Sequence, residues 1–207
     1  MTTLRPRLLE YGFAGRPKPG ERLSGDVSSV QETPEGVLLA VADGLGHGPE
    51  AAQAADAAIA ALNTWQGRPV STLMDNCHAA LMATRGVALA LAVLDANSAT
   101  LTWLGVGNVE GRLMHRAADG RPERRSLLMH SGIVGHHLPN LHPTTVAIRP
   151  GDMIAMATDG IRSEFEAEIR LDLSPQPAAE QVLARYAKDL DDALILIGRW
   201  IGRDGRH

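Results

Sequence analysis

The chain has 207 residues and a formal net charge of −4; 44% of it is hydrophobic but only 3% aromatic, so Ala, Leu, Val, Ile and Met must build the core. The length suits one domain over 1–207, with a packed body over about 8–200 and a short polar tail over 201–207. The acidic balance excludes a nucleic-acid footprint, no apolar run approaches the roughly 18 residues that cross a bilayer, and Met1 to Arg7 lacks the apolar segment of a secretion signal.

In chain order, Leu8 to Ala14 and Gly25 to Gln31 read as strands separated by a loop over Gly15 to Gly20. Val37 to Ala42 is an unbroken apolar run and reads as a buried strand. Pro49 to Trp65 is alanine-rich and opens on Pro-Glu, a helix start. A second helix is expected over Ser71 to Thr84, after Gly67-Arg68-Pro69. It carries the lone cysteine, Cys77, which excludes an internal disulfide and suits a reducing cytoplasm. Val87 to Leu94, Ala99 to Val106, Val109 to Arg116 and Arg124 to Met129 read as successive strands, the first two joined by a hairpin turn at Asp95-Ala96-Asn97-Ser98. Thr144 to Ile148 and Asp152 to Ala157 follow, then a helix over Pro177 to Leu190 and a closing strand over Ala193 to Trp200. Hairpin-linked strands with two grouped helices and one late helix predict an α+β fold with antiparallel sheets.

Two of the apolar runs end in Asp-Gly, at Asp43-Gly44 and Asp159-Gly160. Asp-Gly is a common turn pair, and Asp119-Gly120 and Asp204-Gly205 read as nothing more. A carboxylate at the end of a buried strand is costly to desolvate unless a cation or strong donors meet it. Asp26 and the Asp191-Asp192 pair adjoin strand-like segments too. An all-carboxylate set, with no Cys/His cluster at metal spacing, favours Mg²⁺ or Mn²⁺.

Arg16-Pro17-Lys18-Pro19-Gly20-Glu21, Ser24-Gly25-Asp26, Val41 to Gly48, Ala157 to Ile161 and Asp191-Asp192-Ala193 occur in an order that resembles the SpoIIE-like branch of the metal-dependent type 2C (PPM) protein phosphatases. The resemblance runs from about Tyr11 to Ile197, and the short format is most similar to stressosome feedback phosphatases of the RsbX type. It implies a four-layer αββα sandwich and two divalent ions, Mn²⁺ or Mg²⁺, activating a bridging water. It implies Asp43 as the ligand shared by both ions, with the Gly44 carbonyl and Asp26 on one and Asp159 and Asp191 on the other. Asp192 is then left to cap or bond locally. Glycines at 44 and 160 are expected to let backbone approach the site.

Some positions depart from the family pattern. Asn108 stands where many members carry a third-metal Asp, and Leu194 where Thr is usual. The family histidine two residues after the shared Asp is replaced by Leu45. His47 is open to two readings: general acid to the leaving oxygen, or a loop residue packing on glycines. Arg22 is the candidate phosphate-binding arginine, with Arg16 competing. His130, His136, His137 and His142 read as loop residues. The resemblance implies a cytoplasmic serine/threonine phosphoprotein phosphatase acting on a phosphorylated STAS-domain protein, as a monomer or weak homodimer. The rival is a pseudophosphatase that binds such a partner without hydrolysis; a metal nuclease lacks the basic surface. With the chain used up by one fold, specificity is expected to come from docking.

Overall fold

The computed structural model describes residues 7–63 and 65–203; residues 1–6, read above for a leader, and the Asp204-Gly205 turn lie outside them. Eleven strands, three α-helices and one 3-10 turn are found among the described residues. One sheet has the order β1 (Leu9–Arg16), β11 (Ala193–Trp200), β10 (Met153–Ala157), β6 (Glu110–Arg116), β7 (Pro122–Leu127). The other runs β2 (Asp26–Thr33), β3 (Gly36–Gly44), β4 (Val87–Asp95), β5 (Thr100–Val106), β8 (Met129–His130), and β9 (Thr144–Ala147) also pairs with β5. Every pairing is antiparallel except the short β5–β8 contact.

Strand β3 shows why the sheets stack. Its side chains alternate faces: Val37, Leu39 and Val41 join the core between the two sheets, while Leu38, Ala40 and Ala42 face α1 (Pro49–Leu62) and α2 (Val70–Leu81). Both faces are buried, which is why the segment reads as a continuous apolar run. A third core, built on Ile195, Ile197 and Phe165, lies between the first sheet and α3 (Pro175–Tyr186). The result is the expected α+β sandwich, helices outside two packed sheets. With few rings to spend, the chain places two tryptophans, Trp103 and Trp200, in this middle core; the Trp103 ring lies over Gly111, and its Nε1–H donates to the Leu128 carbonyl at 2.8 Å.

Three local differences from the sequence reading have physical causes. Helix α3 stops at Tyr186 rather than running to Leu190, because the following backbone pairs with the segment after β10: Arg162 N–H donates to Tyr186 O and Lys188 N–H to Gly160 O. The two-residue β8 and the 3-10 turn Ser163–Ala167 carry no periodic signal long enough to be read. Cys77 is buried, its thiol bonded to the Ala58 carbonyl, and burial pushes its pKa up to about 12, so it packs as an inert thiol.

Candidate metal centre

The site forms where the two sheets meet at one end. Asp43 closes β3, and Asp26 opens β2 directly opposite, the two being register partners across the strand pair. Like charges facing each other across a ladder repel unless something compensates. Asp159 follows β10, and Asp191 stands just before β11 in the loop that leaves α3. Asp43, Asp159 and Asp191 line one cleft of about 320 Å³, together with Lys18, Leu45, His47, Asn108 and Leu190. Asp26 lies beneath it, 6% exposed, its Oδ2 accepting a 2.7 Å hydrogen bond from the Thr158 hydroxyl.

That bond crosses between the sheets. Thr158 Oγ1 accepts in turn from Leu194 N–H at 2.9 Å, so one hydroxyl ties the acidic end of β2 to the start of β11. Asp192 makes the second tie. It is 4% exposed, and its two oxygens accept from Lys18 N–H at 2.7 Å and Gly25 N–H at 2.9 Å. Its partners lie far away in sequence, so the local cap expected of it is replaced by a latch that closes the loop over 18–25. Alternation at this point leaves Asp191 to face the cleft.

The electrostatics are those of a cation site. Burial, then the neighbouring Asp26, Asp159, Asp191 and Asp192, push the Asp43 carboxyl up to about 8. Burial also raises Asp26, to about 7, against the Thr158 hydrogen bond that favours its ionised form. Asp159 is raised as well, chiefly by burial and Asp191, with Lys188 and Asn108 opposing. Crowded hard-oxygen donors of this kind fit Mg²⁺ or Mn²⁺. Among the described residues no three such groups stand close enough together to hold one ion as they are placed.

The glycines have a different cause from the one expected. A Cβ on Gly44 would run into the Ala51 carbonyl of α1, and one on Gly160 into the Asp192 carbonyl. Both are needed for backbone packing against backbone, which sets the site's walls rather than opening its floor.

The remaining candidates separate by position. His47 sits at the cleft rim, half-exposed, its Nδ1 2.9 Å from Glu21 Oε1. Arg22 is exposed and does not line the cleft; the Arg16 guanidinium donates to the Pro17 and Lys188 carbonyls, outside it. Lys18, within the Arg16–Glu21 motif, is the cation among the lining residues, and nothing in its residue type or spacing sets it apart from Arg16 and Arg22. Asn108, read only as a missing third ligand, donates to Asp159 Oδ2 at 2.6 Å and orients that carboxylate. His136 Nε2 contacts the Thr84 carbonyl and His130 Nδ1 the Gly105 carbonyl, both away from the cleft.

Comparison with known proteins shows the family and the fold. The family model described as stage II sporulation protein E (SpoIIE) matches residues 33–198. This chain belongs to the SpoIIE family. SpoIIE proteins fall within the PPM protein phosphatases, and the fold described above is that of the class. A chain from the bacterial stressosome, described as a modular system adapted to control secondary messenger signalling, is 29% identical over 93% of this chain and 100% of its own, with a TM-score of 0.83. RsbX in complex with magnesium is 20% identical, covers 94% of this chain and 96% of its own, and has a TM-score of 0.82. The catalytic domain of the serine/threonine protein phosphatase PstP, solved with two manganese ions, is 19% identical over 93% and 98%, with a TM-score of 0.67. Among curated proteins, none matches this chain. No helix among the described residues is long and apolar enough to cross a membrane.

Proposed function

We propose that this SpoIIE-family protein is a Mn²⁺- or Mg²⁺-dependent phosphatase for phosphoserine or phosphothreonine in a regulatory protein, a phosphorylated STAS-domain partner of a stressosome or partner-switching circuit. The observation that carries the reading is the convergence of Asp43, Asp159 and Asp191 from three elements on one cleft, with Asp26 beneath. Asp43 would be shared by two ions, with the Gly44 carbonyl and Asp26 toward one and Asp159 and Asp191 toward the other. Bound there, a pair of divalent ions supplies charge neutralisation and an activated water for attack on phosphorus.

The chain's own residues do the rest. Lys18, at the cleft wall, offers an ammonium to phosphate oxygens in the place first assigned to Arg22. Asn108 holds the Asp159 carboxylate in one orientation. Glu21 fixes the His47 ring at the rim, where a protonated imidazole could pass its proton to the leaving serine or threonine oxygen. The STAS-domain assignment draws on the stressosome and RsbX likenesses; the phosphatase assignment draws on family and site together.

The test is phosphate release from a phosphorylated STAS-domain protein and from an aryl phosphate, with Mn²⁺, with Mg²⁺ and with chelator. Release is expected only with metal. Asp43→Asn should lower it by about 10²–10³-fold, the scale on which removing a central electrostatic group acts, whereas Asp119→Asn at the plain turn should leave it unchanged. Absence of metal-dependent release from either substrate would favour the partner-binding module instead.

A further inference from the structure

The end of the sandwich opposite the carboxylate cleft holds a second cavity of about 540 Å³, between the edge strands β7 and β9 and bounded by the turn before β10. Leu113, Ala117, Ala118, Val146 and Ala147 make its apolar part, and Arg116, Arg125 and Arg149 its cationic part. Strand β10 separates the two sites, with Asp152 before it in this cavity and Asp159 after it in the cleft. Five residues of strand at about 3.3 Å each put the two roughly 17 Å or more apart.

The charges here run against those of the chain. The protein is net negative, yet the β6–β7 hairpin carries Arg112, Arg116, Arg121, Arg124 and Arg125. Of the cavity's two carboxylates, Glu123 is taken up by His115 Nε2 at 3.1 Å, and Asp152 accepts from Arg149 N–H at 2.8 Å. Arg116 donates to the Gly120 carbonyl. The Arg125 and Arg149 guanidiniums make no hydrogen bond or ion pair among the described residues, although the charge of Arg149 acts on Asp152. Free guanidinium forks beside an apolar wall, in a cavity of ligand size, match a molecule with a phosphate at one end and a flat or apolar body at the other.

We propose that this cavity is a binding site for a small organic phosphate of nucleotide size, separate from the carboxylate cleft. The phosphate is held by Arg125 and Arg149, and the body lies along Val146, Ala147 and Leu113. This is independent of the catalytic reading, since nothing in it uses the carboxylates or a metal.

The probe is ADP, with inorganic pyrophosphate as the comparison, added to chelator-treated protein so that no metal can recruit phosphate to the cleft. Thermal unfolding of the wild type should shift upward by about 5 °C at saturating ADP, and less with pyrophosphate, which lacks the apolar body. Asp43→Asn should keep the shift. The double variant Arg125→Ala/Arg149→Ala should lose it while its ligand-free unfolding temperature and aryl phosphate hydrolysis stay at wild-type values, because both side chains are exposed. Single Arg125→Lys should weaken ADP binding severalfold by replacing a fork with a point charge. No shift in the wild type, a shift that survives in the double variant, or one lost in Asp43→Asn would overturn the proposal. Equal shifts with ADP and pyrophosphate would overturn the part assigned to the apolar wall.

Discussion

Neighbouring aspartates at 191 and 192 divide two tasks that one residue could not perform. Asp191 faces the cleft, while Asp192 turns inward and accepts from two backbone N–H groups that have left water. Removing the acceptor strands both donors, each at about 1–3 kcal/mol. Asp192→Ala is therefore expected to lose about 2–5 kcal/mol of stability in denaturant titration and to weaken Mn²⁺ binding by freeing the loop that carries Lys18. Asp192→Asn keeps one acceptor oxygen and should lose about half as much. An Asn variant as damaged as the Ala variant would mean that the charge, not the two hydrogen bonds, is what matters at this position.

At the level of elements, the site depends on how closely α1 approaches β3. The helix opens on Pro49 after Gly48, whose φ of 76° favours glycine, and presents Ala51, Ala54, Ala55 and Ala58 as a thin buried face. Small side chains let the Ala51 backbone lie against Gly44, beside the residue that delivers Asp43. Gly44→Ala has no free space to occupy, so the helix must move away from the strand. Overpacking of this kind costs about 1–3 kcal/mol, and turnover on an aryl phosphate should drop further than stability does, since the displaced strand end holds Asp43. Urea denaturation and kcat/KM on the same variant separate the two effects. The opposite wall follows the same logic at Gly160 against Asp192, and the pairing of residues 160–162 with 186–188 is what ends α3 in time to bring Asp191 to the cleft.

The whole molecule carries a cluster of like charges that its fold forces together. The Asp43 and Asp26 carboxyls titrate near 8 and 7 in the fold, against about 3.8 when free. The metal-free native state thus holds more protons than the unfolded chain between about pH 4 and pH 8, and its stability falls as pH rises through that window. Divalent metal replaces those protons. The unfolding temperature of chelated protein should decline from pH 5 to pH 8, and stabilisation by Mn²⁺ should grow over the same range. Asp43→Asn should flatten the chelated profile; a profile as steep as that of the wild type would place the proton uptake elsewhere. The cleft is lined chiefly by charged and polar side chains that suit a phosphate group rather than a peptide sequence, so intact phosphoprotein should exceed its phosphopeptide in kcat/KM, with equal values arguing against docking.

Most of the strands and the chemistry at their ends were legible in the sequence by itself, while the four-layer stacking came from the family resemblance. Continuous apolar runs such as Val37 to Ala42 announced strands buried on both faces, and carboxylates placed at the ends of such runs announced a hard-cation site, because both signals are local and strong. It could also select Asp191 over Asp192 as the cleft-facing residue, although through a family pattern. What it could not decide were contacts between residues far apart in the chain. That Thr158 bridges Asp26 and Leu194, that Asp192 latches Lys18 and Gly25, and that Lys18 rather than Arg22 lines the cleft all depend on how two sheets meet at one end. The glycines at 44 and 160 could be read as special from sequence, but only the packing of one backbone against another showed why. A pattern fixes which face a side chain takes; the tertiary structure decides which distant backbone waits on that face.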